Sequence, residues 1–561
     1  MEKLRLNTEK TESRGRYKMN IGNVIYKLRN CRGMTEENLA EALNVTKETV
    51  ARWENDVETP DIVKTTEIAK LFDISLDVLL LNKNGYEAED YSYRKTMVPH
   101  YENVYEWELY NCDILTEYQQ CIDEGLEIEQ YKGLFEEVAK LPKGEIAMDL
   151  GDTLFKIVSS AKQRADYKYI EPSSLRDIKA LRKLRSFNSK VDRANLREKV
   201  EGAWRGRMCG CMLGKPTEGI RTYELIPFLK ETNNYPLHRY TYRSELTEEI
   251  LSKYKHQFAP RQYVDDDCVG MPADDDMNYV IIVQEVIKKV GRNFAPIDVL
   301  NMWMEAQVKR TYCTAERVAY VNFSKGYAPP QTAIYKNPYR EWIGAQIRAD
   351  YYGYINPGNP EKAAEMAWRD ASVSHTKNGI YGAMFVAAML AIAATTTNFE
   401  EIILGGLAQI PATSRLYEDV MTVVDCWRNG KTKEEVFALI HEKYDEDIPH
   451  RWCGACSNSM IVAASLLYCE NDYSKVICTA CETGFDTDCN GATAGSVFGM
   501  AYGAKSIPKY WTEPLKDTLH TSNWHAVTVK VTDRINMTME HIEDTAIAEG
   551  FEKENHRPEA L

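Results

Sequence analysis

The chain has 561 residues, of which 44% are hydrophobic and 10% aromatic, and it carries a formal net charge of −15. This length exceeds one ordinary domain, because a domain averages roughly 150 residues, and the apolar content excludes a disordered chain. The negative charge disfavours a protein that coats nucleic acid, although one module could still bind it. No apolar run approaches the roughly 20 residues that cross a bilayer.

The first residues predict the cellular location of the protein. They lack the apolar core of a secretory signal, and 14 cysteines without an export signal are typical of reduced thiols. We therefore expect a cytoplasmic protein with no membrane contact. Residues 1–19 are interpreted as a basic arm, because six basic side chains stand there against three acidic ones. The basic residues are Lys3, Arg5, Lys10, Arg14, Arg16 and Lys18.

Residues 20–83 predict a bundle of short helices. Apolar residues recur at helical spacing from Ile21 onward, and Thr35 and Thr46 each precede a helical pattern as a capping residue does. The stretch resembles the Cro/repressor-type helix-turn-helix family from "LRNCRGMTEENLAEALNV" through "TKETVARWENDVETP" to "DVLL". The resemblance implies that the helix around residues 46–55 lies in the major groove, with DNA contacts from Lys47, Thr49 and Arg52.

Charge leaves a second interpretation of this module open. Residues 20–83 hold eight basic and eleven acidic residues, which is a balance of −3. Glu36 and Glu48 stand where the family usually has glutamines facing DNA, and a carboxylate repels the phosphates that supply much of the affinity. The alternative is a module for protein contact or dimerisation, which would make the protein a homodimer.

The rest of the chain predicts helices. Residues 84–190 are charged and tyrosine-rich, carry no catalytic motif, and are interpreted as a helical connector. Beyond residue 195, "DMNYVIIVQEVIKKVG", "GIYGAMFVAAMLAIAAT" and "SMIVAASLLY" are too apolar all round for surface helices. The predicted fold is therefore all-α: a small helix-turn-helix bundle, a connector and one large helical domain over residues 191–561.

Two acidic clusters stand at the starts of apolar helices. Asp486 and Asp488 lie in "GFDTDCNGATAG", and Asp274, Asp275 and Asp276 lie in "MPADDDMNYV". Each cluster could be a helix N-terminus, where caps and the helix dipole favour carboxylates. The alternative is a cation site, because hard cations prefer oxygen ligands and five carboxylates from two loops could hold two Mg²⁺ ions.

A third segment, "GAWRGRMCGCMLGKPTEG", has glycines every four residues, at Gly202, Gly206, Gly210 and Gly214. This spacing predicts a helix face on which another backbone lies close. Pro216 ends the helix and Glu218 follows it.

These three segments, in this order within residues 195–510, resemble the ADP-ribosylglycohydrolase family. The family motif G-D-A-x-G-x-P-x-E matches Gly210 to Glu218, with Cys211 in place of the aspartate. The motif T-D-D-T places Asp274 on the first threonine, followed by Asp275 and Asp276. The motif D-T-D-T matches Asp486 to Cys489, with the cysteine in place of the last threonine.

The resemblance implies an all-α domain with two Mg²⁺ (or Mn²⁺) ions that cleaves the bond between ADP-ribose and its acceptor. A smaller ribosyl compound is an alternative substrate. Glu218 and Asp275 are the implied catalytic residues, Glu218 as a mobile carboxylate. The implied metal ligands are Asp274, Asp275, Asp276, Asp486, Asp488 and Cys489. The implied substrate contacts are Gly344, Arg348, His375, Phe485 and Asn490, although His375 could equally be a core histidine.

Two hypotheses about function follow. The retained carboxylates favour a working hydrolase fused to the helix-turn-helix module. The cysteines at positions 211 and 489 favour a transcription regulator whose degenerate pocket senses ADP-ribose or a related nucleotide, since a thiol is a poorer ligand for a hard cation.

Two cysteine pairs, Cys453 with Cys456 and Cys478 with Cys481, have a spacing near that of a zinc ribbon. The segments around them read as buried helices, where cysteines are more often small core residues. We interpret these cysteines as core thiols, with structural zinc as the alternative.

Overall fold

The computed structural model describes residues 21–81, 99–187, 190–254, 256, 258, 261–266 and 270–543. The chain divides into two compact units, Met1–His100 and Tyr101–Leu561. The predicted basic arm, including Arg14, Arg16 and Lys18, lies outside the described residues.

The first unit is a bundle of short helices. Thr35 and Thr46 cap the second and third helices through their hydroxyls, as the sequence predicts. The guanidinium of Arg29 holds the Glu54 carboxylate at 2.6 and 2.8 Å, which ties the first helix to the third. The helices are α1 Ile21–Cys31, α2 Glu36–Ala42, α3 Lys47–Glu54, α4 Ile62–Phe72 and α5 Leu76–Leu81.

The second unit is built from α-helices. From its start to the site they are α6 Ile114–Asp123, α7 Lys132–Ala139, α8 Glu145–Ser160, α9 Leu175–Ala180, α10 Leu196–Gly214, α11 Thr222–Glu231, α12 Glu248–Lys253, α13 Asp275–Val290, α14 Pro296–Ala306, α15 Thr314–Ser324, α16 Gln331–Ile334, α17 Gly344–Ile347 and α18 Asp350–Tyr354. The remaining helices are α19 Pro360–Ala371, α20 Lys377–Ala393, α21 Phe399–Leu407, α22 Arg415–Arg428, α23 Lys433–Lys443, α24 Pro449–Trp452, α25 Ala455–Leu467, α26 Tyr473–Glu482, α27 Thr487–Tyr502, α28 Lys509–Thr512 and α29 Val531–Glu543.

Short 3₁₀ turns and one small sheet complete this unit. The turns are Tyr101–Asn103, Glu106–Glu108, Glu129–Tyr131, Lys215–Thr217, Arg243–Glu245, Lys309–Thr311, Ala504–Ser506 and Glu513–Leu515. Strand β1, Thr518–His520, pairs antiparallel with β2, Thr528–Lys530. The all-α prediction is confirmed, because the described residues hold only this one small sheet. Among the same residues, the longest apolar helices still fall short of what a bilayer span requires.

The predicted apolar helices form the centre of the core. Helix α20 is buried from Asn378 to Ala393, and α25 is buried along its whole length. A helix that is apolar on all sides must be surrounded by other elements. The site lies where such buried helices begin.

The segment from residue 101 to residue 187 packs onto this helical core. Buried Arg340 donates to Glu117 and Glu124, each at 2.8 Å. Arg415 holds Glu171 at 2.9 Å and Glu341 at 2.7 Å. Charged groups this deeply buried are costly unless they are paired, so these contacts fix the segment to the core.

Candidate metal and catalytic site

A glycine-lined helix contact aligns the site. A Cβ placed on Gly206 would lie 2.2 Å from the carbonyl oxygen of Gly495, and one on Gly210 would lie 1.9 Å from that of Gly491. Gly202 meets Gly499 in the same way, so α10 and α27 run antiparallel with their backbones in contact. This confirms the predicted glycine face. It brings the end of α10 to the start of α27.

The two acidic clusters begin helices, but their side chains differ. Asp274 is the N-cap of α13, and its carboxylate accepts from the backbone N–H of Asp276 at 3.0 Å. Asp486 is the N-cap of α27, yet its side chain makes no capping hydrogen bond. The capping interpretation therefore explains Asp274 and leaves the Asp486 carboxylate without that role.

Three groups of side chains come close enough to share a cation. In each group, one ligand atom per residue lies within 4.8 Å of the others. The groups are Cys211, Asp274 and Asp276; Asp276, Asp488 and Cys489; and Glu218, Asp486 and Asp488. The structure thus gathers all but one of the predicted metal ligands. Among the described residues, Asp275 belongs to none of these groups.

Three basic residues neutralise part of the cluster, and sequence reasoning missed them. The Lys215 ammonium pairs with Asp274, and the Arg261 guanidinium pairs with Glu218. Arg207, fully buried, holds Asp276 at 2.8 Å and Asp350 at 3.0 Å. Arg207 and Lys215 lie in the same glycine-rich segment as the first motif, which was the available signal.

The remaining negative charge is not balanced. Burial raises the pKa of Asp486 to about 6, with a further contribution from the Glu218 carboxylate. Burial and the neighbouring Asp274 and Glu218 raise the pKa of Asp275 to about 8. Burial also raises the pKa of Asp488 well above its ordinary value. Carboxylates that resist ionisation in this way indicate a missing positive charge.

Two buried carboxylate oxygens in the cluster have no hydrogen-bond partner among the residues that the structure describes. They are Oδ2 of Asp276 and Oδ1 of Asp486. Both side chains are nearly inaccessible, at 0% and 4% exposure, and an unpaired buried oxygen costs free energy. The donor set, mostly carboxylate oxygen, fits a divalent cation.

Four thiols border the cluster. Cys211 donates to Asp274 Oδ1 at 3.3 Å, and Cys453 donates to Asp486 Oδ2 at 3.5 Å. Cys313 lies beside Asp275, and Cys489 lies between the two acidic segments. The cluster is therefore lined by sulfur as well as oxygen.

Of the predicted substrate contacts, three form one buried network. Arg348 pairs with Glu316 and Asp370 and donates to Ser374 Oγ at 2.8 Å. A Cβ on Gly344 would overlap the Glu316 carboxylate. His375 contacts Ser374 Oγ through Nδ1 at 2.8 Å.

This network borders the acidic cluster. Burial and the carboxylates of Asp275 and Glu316 raise the pKa of Cys313, so that thiol lies between the two. Burial and Arg348 lower the pKa of His375 well below its ordinary value, so its imidazole is neutral. Its Nε2 has no hydrogen-bond partner within the described part of the chain. Most buried polar atoms are paired, so the core interpretation accounts for Nδ1 and leaves the Nε2 position open.

The other two predicted contacts flank the start of α27. Phe485 has a left-handed backbone, with φ of 58°, and its buried ring lies 4.9 Å from that of His441. Asn490 donates to Asn458 Oδ1 at 2.8 Å, while its own Oδ1 has no partner among the described side chains and backbone. A left-handed conformation is unusual for an aromatic residue, and here it turns the chain immediately before Asp486.

Within the described part of the chain, the two cysteine pairs that could form a zinc site do not come together as one set of metal ligands. Cys456, Cys478 and Cys481 are buried on α25 and α26, and Cys481 donates to the carbonyl of Thr487. Cys453 instead faces Asp486.

On the helix-turn-helix module, the predicted DNA contacts lie on α3. Lys47 is half exposed and pairs with Glu37. Arg52, 58% exposed at its side chain, pairs with Glu58 at 3.2 Å. Thr49 joins the helix cap, with its hydroxyl 3.0 Å from that of Thr46.

Comparison with known proteins supplies the family. The helix-turn-helix family model matches residues 25–79, and no curated protein matches the chain. A solved structure titled "ADP-ribosylglycohydrolase-related protein complex" is similar over 62% of this chain and 98% of its own, at 15% identity and a TM-score of 0.37. The ADP-ribosylglycohydrolase family model matches residues 192–544. Because this match covers more than half of the chain, the protein belongs to the ADP-ribosylglycohydrolase family and also carries a helix-turn-helix domain.

Proposed function

We propose that residues 191–561 form a hydrolase that depends on divalent cations and cleaves the glycosidic bond of an ADP-ribosyl or related ribosyl group. The observation that carries the proposal is the pair of unpartnered carboxylate oxygens on Asp276 and Asp486, buried within a cluster of six carboxylates. Family membership supports the reaction class.

Buried carboxylates are proposed to supply most of the cation ligands. Asp276, Asp486 and Asp488 are each at most 4% exposed, and each belongs to at least one group with convergent ligand atoms. Mg²⁺ or Mn²⁺ suits carboxylate oxygens. A bound divalent cation would supply Lewis acidity and lower the pKa of a coordinated water.

The residues proposed for chemistry are the accessible ones. Glu218 and Asp275 are partly exposed, whereas the other four carboxylates are buried. A ribosyl bond breaks through an oxocarbenium-like transition state, which a nearby carboxylate stabilises or serves with a proton. Glu218 follows a short 3₁₀ turn and is held by Arg261. Exchange of that ion pair would free its carboxylate for substrate.

The buried network positions the sugar in this proposal. Arg348 is held by Glu316 and Asp370. Its role in this proposal is therefore to position those two carboxylates. The unpartnered Nε2 of His375 is the group with a free hydrogen-bonding position, and the neutral ring can donate or accept there according to its tautomer.

The experiment is a turnover panel on the full chain. ADP-ribosylated protein, ADP-ribosylated small molecules, free ADP-ribose derivatives and nucleosides are incubated with Mg²⁺, with Mn²⁺ or with chelator. Cation-dependent release of ribose or ADP-ribose from one class supports the proposal and names the substrate. Binding of ADP-ribose without product from any class contradicts it.

A second function has specific support. The Lys215 ammonium pairs with the Asp274 carboxylate. Cys211, which stands where the family has an aspartate, donates to the same carboxylate. These features favour a pocket that senses ADP-ribose or a related nucleotide and controls the helix-turn-helix module. Tight binding without turnover in the panel would select this function.

We also propose that the helix-turn-helix module binds DNA through Lys47, Thr49 and Arg52. The family match at residues 25–79 and the exposure of both basic side chains support it. Salt-sensitive binding of the full chain to its own promoter tests this. Dimerisation without DNA binding would leave the module as a partner-binding unit.

A further inference from the structure

The proposed cation groups differ in chemistry. The group of Glu218, Asp486 and Asp488 offers oxygen alone, whereas the other two each include a thiol. Carboxylates suit Mg²⁺ and Mn²⁺, while thiolates select softer cations such as Zn²⁺ and Co²⁺. A pair of identical hard cations would use only part of this donor set.

The two thiol groups are not equally available. In the first, Lys215 and Cys211 already bind the Asp274 carboxylate, which also accepts from the backbone of Asp276. That carboxylate has little capacity left, and the Lys215 ammonium supplies its counter-charge.

The second thiol group retains free capacity. Arg207 donates to Asp276 Oδ1 at 2.8 Å, and Oδ2 has no partner in the described ranges of the chain. Asp488 is buried, and its Oδ1 accepts the backbone N–H of Cys489 at 3.0 Å. The Cys489 thiol lies within 4.8 Å of both carboxylates. One soft and two hard donors therefore converge on one point.

We propose that Asp276, Asp488 and Cys489 form a thiophilic position that takes Zn²⁺ or a similar soft divalent cation, beside an all-oxygen position for Mg²⁺ or Mn²⁺ at Glu218, Asp486 and Asp488. The inference rests on the proposed cation dependence of this centre. Binding forms a bond from Cys489 Sγ to the cation, and the thiol proton leaves to solvent. The two positions share Asp488, so their occupancies are coupled.

The test is titration of the metal-free full chain with Co²⁺, whose bond to a thiolate produces a charge-transfer band in the near ultraviolet. The wild type is expected to show this band, to release one proton more for each Co²⁺ bound than Cys489→Thr does, and to keep the band in excess Mg²⁺. Cys489→Thr, which restores the family residue, is expected to lose the band and that additional proton.

Two variants serve as controls. Cys211→Ala is expected to keep the band, because Cys211 belongs to the other group. Cys478→Ala removes a buried thiol on α26, outside the three groups, and is expected to behave as wild type. Circular dichroism establishes that each variant is folded.

Several outcomes would overturn the inference. Co²⁺ bound by the wild type without the band means that oxygen alone binds, and this holds even if Cys489→Thr does not fold. A band lost in Cys211→Ala and kept in Cys489→Thr assigns the position elsewhere. Turnover with Mg²⁺ in a protein that lacks the band rejects the thiophilic position and leaves the proposed hydrolase standing. The band without turnover supports the thiophilic position and contradicts the proposed hydrolase.

Discussion

Two charged regions of this protein are balanced in different ways. At the acidic centre, six carboxylates face three basic groups, Arg207, Lys215 and Arg261, and the surplus is buried. On α3, the helix predicted to enter the major groove and called the recognition helix from here on, Lys47 and Arg52 each have an acidic partner and are about half exposed. Exposed pairs contribute about 0–1 kcal/mol, so they exchange readily for phosphate, whereas a buried surplus demands a cation.

This difference separates what each region requires. The basic side chains of the recognition helix already have acidic partners, so DNA phosphates would have to compete with those protein carboxylates. The acidic centre leaves two oxygens unpartnered, so a cation would complete it.

The largest expected effect is on catalysis. Glu218→Gln should lower turnover by about 10²–10⁴-fold, the usual contribution of a positioned acid–base group. It should reduce cation affinity by a smaller factor than turnover, because Glu218 is the partly exposed member of its ligand group. Initial rates and calorimetric cation titration measure the two separately. Glu434→Gln, on the exposed face of α23, serves as the control. Unchanged turnover in Glu218→Gln would remove this residue from the mechanism.

The second prediction concerns pH in the absence of cations. Because the pKa of Asp486 is raised to about 6 and that of Asp275 to about 8, the folded state holds protons that the unfolded state releases near pH 4. Stability should therefore fall as pH rises from about 4 to 8, with Asp486 alone contributing on the order of 3 kcal/mol.

Thermal unfolding across this pH range measures that loss. Saturating divalent cation should remove most of it, because it supplies the missing positive charge. A cation-free protein that grows more stable from pH 5 to 8 would show that the cluster is already balanced.

The third prediction concerns the helix contact that aligns the centre. Gly210→Ala should destabilise the fold by about 1–3 kcal/mol, since its Cβ would press on the Gly491 backbone. It should also weaken cation binding by separating α10 from α27. Gly133→Ala is the matched control: it is also helical, but its Cβ would meet no atom within 4 Å, so the change should be neutral or stabilising. Equal effects in the two variants would mean that the close approach does not matter. Chemical denaturation measures both.

The smallest effect is expected at the recognition helix. Arg52→Ala should cost about 1–3 kcal/mol of DNA binding if this side chain reads a base edge. Glu58→Gln should strengthen binding by a smaller amount, because it frees Arg52 from its partner. Fluorescence anisotropy at several salt concentrations tests both. No salt-sensitive binding in any variant would support the dimerisation alternative.

The sequence alone predicted much of the site. The helix-turn-helix caps at Thr35 and Thr46 and the glycine face of α10 follow from local spacing, because each depends on residues a few positions apart. The convergence of the two acidic clusters was implied by the family resemblance.

Other features could not be predicted because they depend on tertiary packing. Arg261 and Cys313 reach the cluster from segments without a motif. Asp275 and Asp276 are adjacent in sequence, yet only Asp276 enters the ligand groups, because the first helical turn points neighbouring side chains in different directions. The packing of residues 101–187 onto Arg340 and Arg415 also required the structure.

Cation-dependent stabilisation of the full chain tests the central claim most directly. At a free Mg²⁺ or Mn²⁺ concentration of about 100 times the dissociation constant, wild-type protein should gain about 2.7 kcal/mol of unfolding free energy. Asp488→Asn, which alters a carboxylate shared by two ligand groups, should lose most of that gain, while Asp425→Asn on the exposed face of α22 should keep it. Equal stabilisation of wild type and Asp488→Asn, or none in wild type with any divalent cation, would contradict the account.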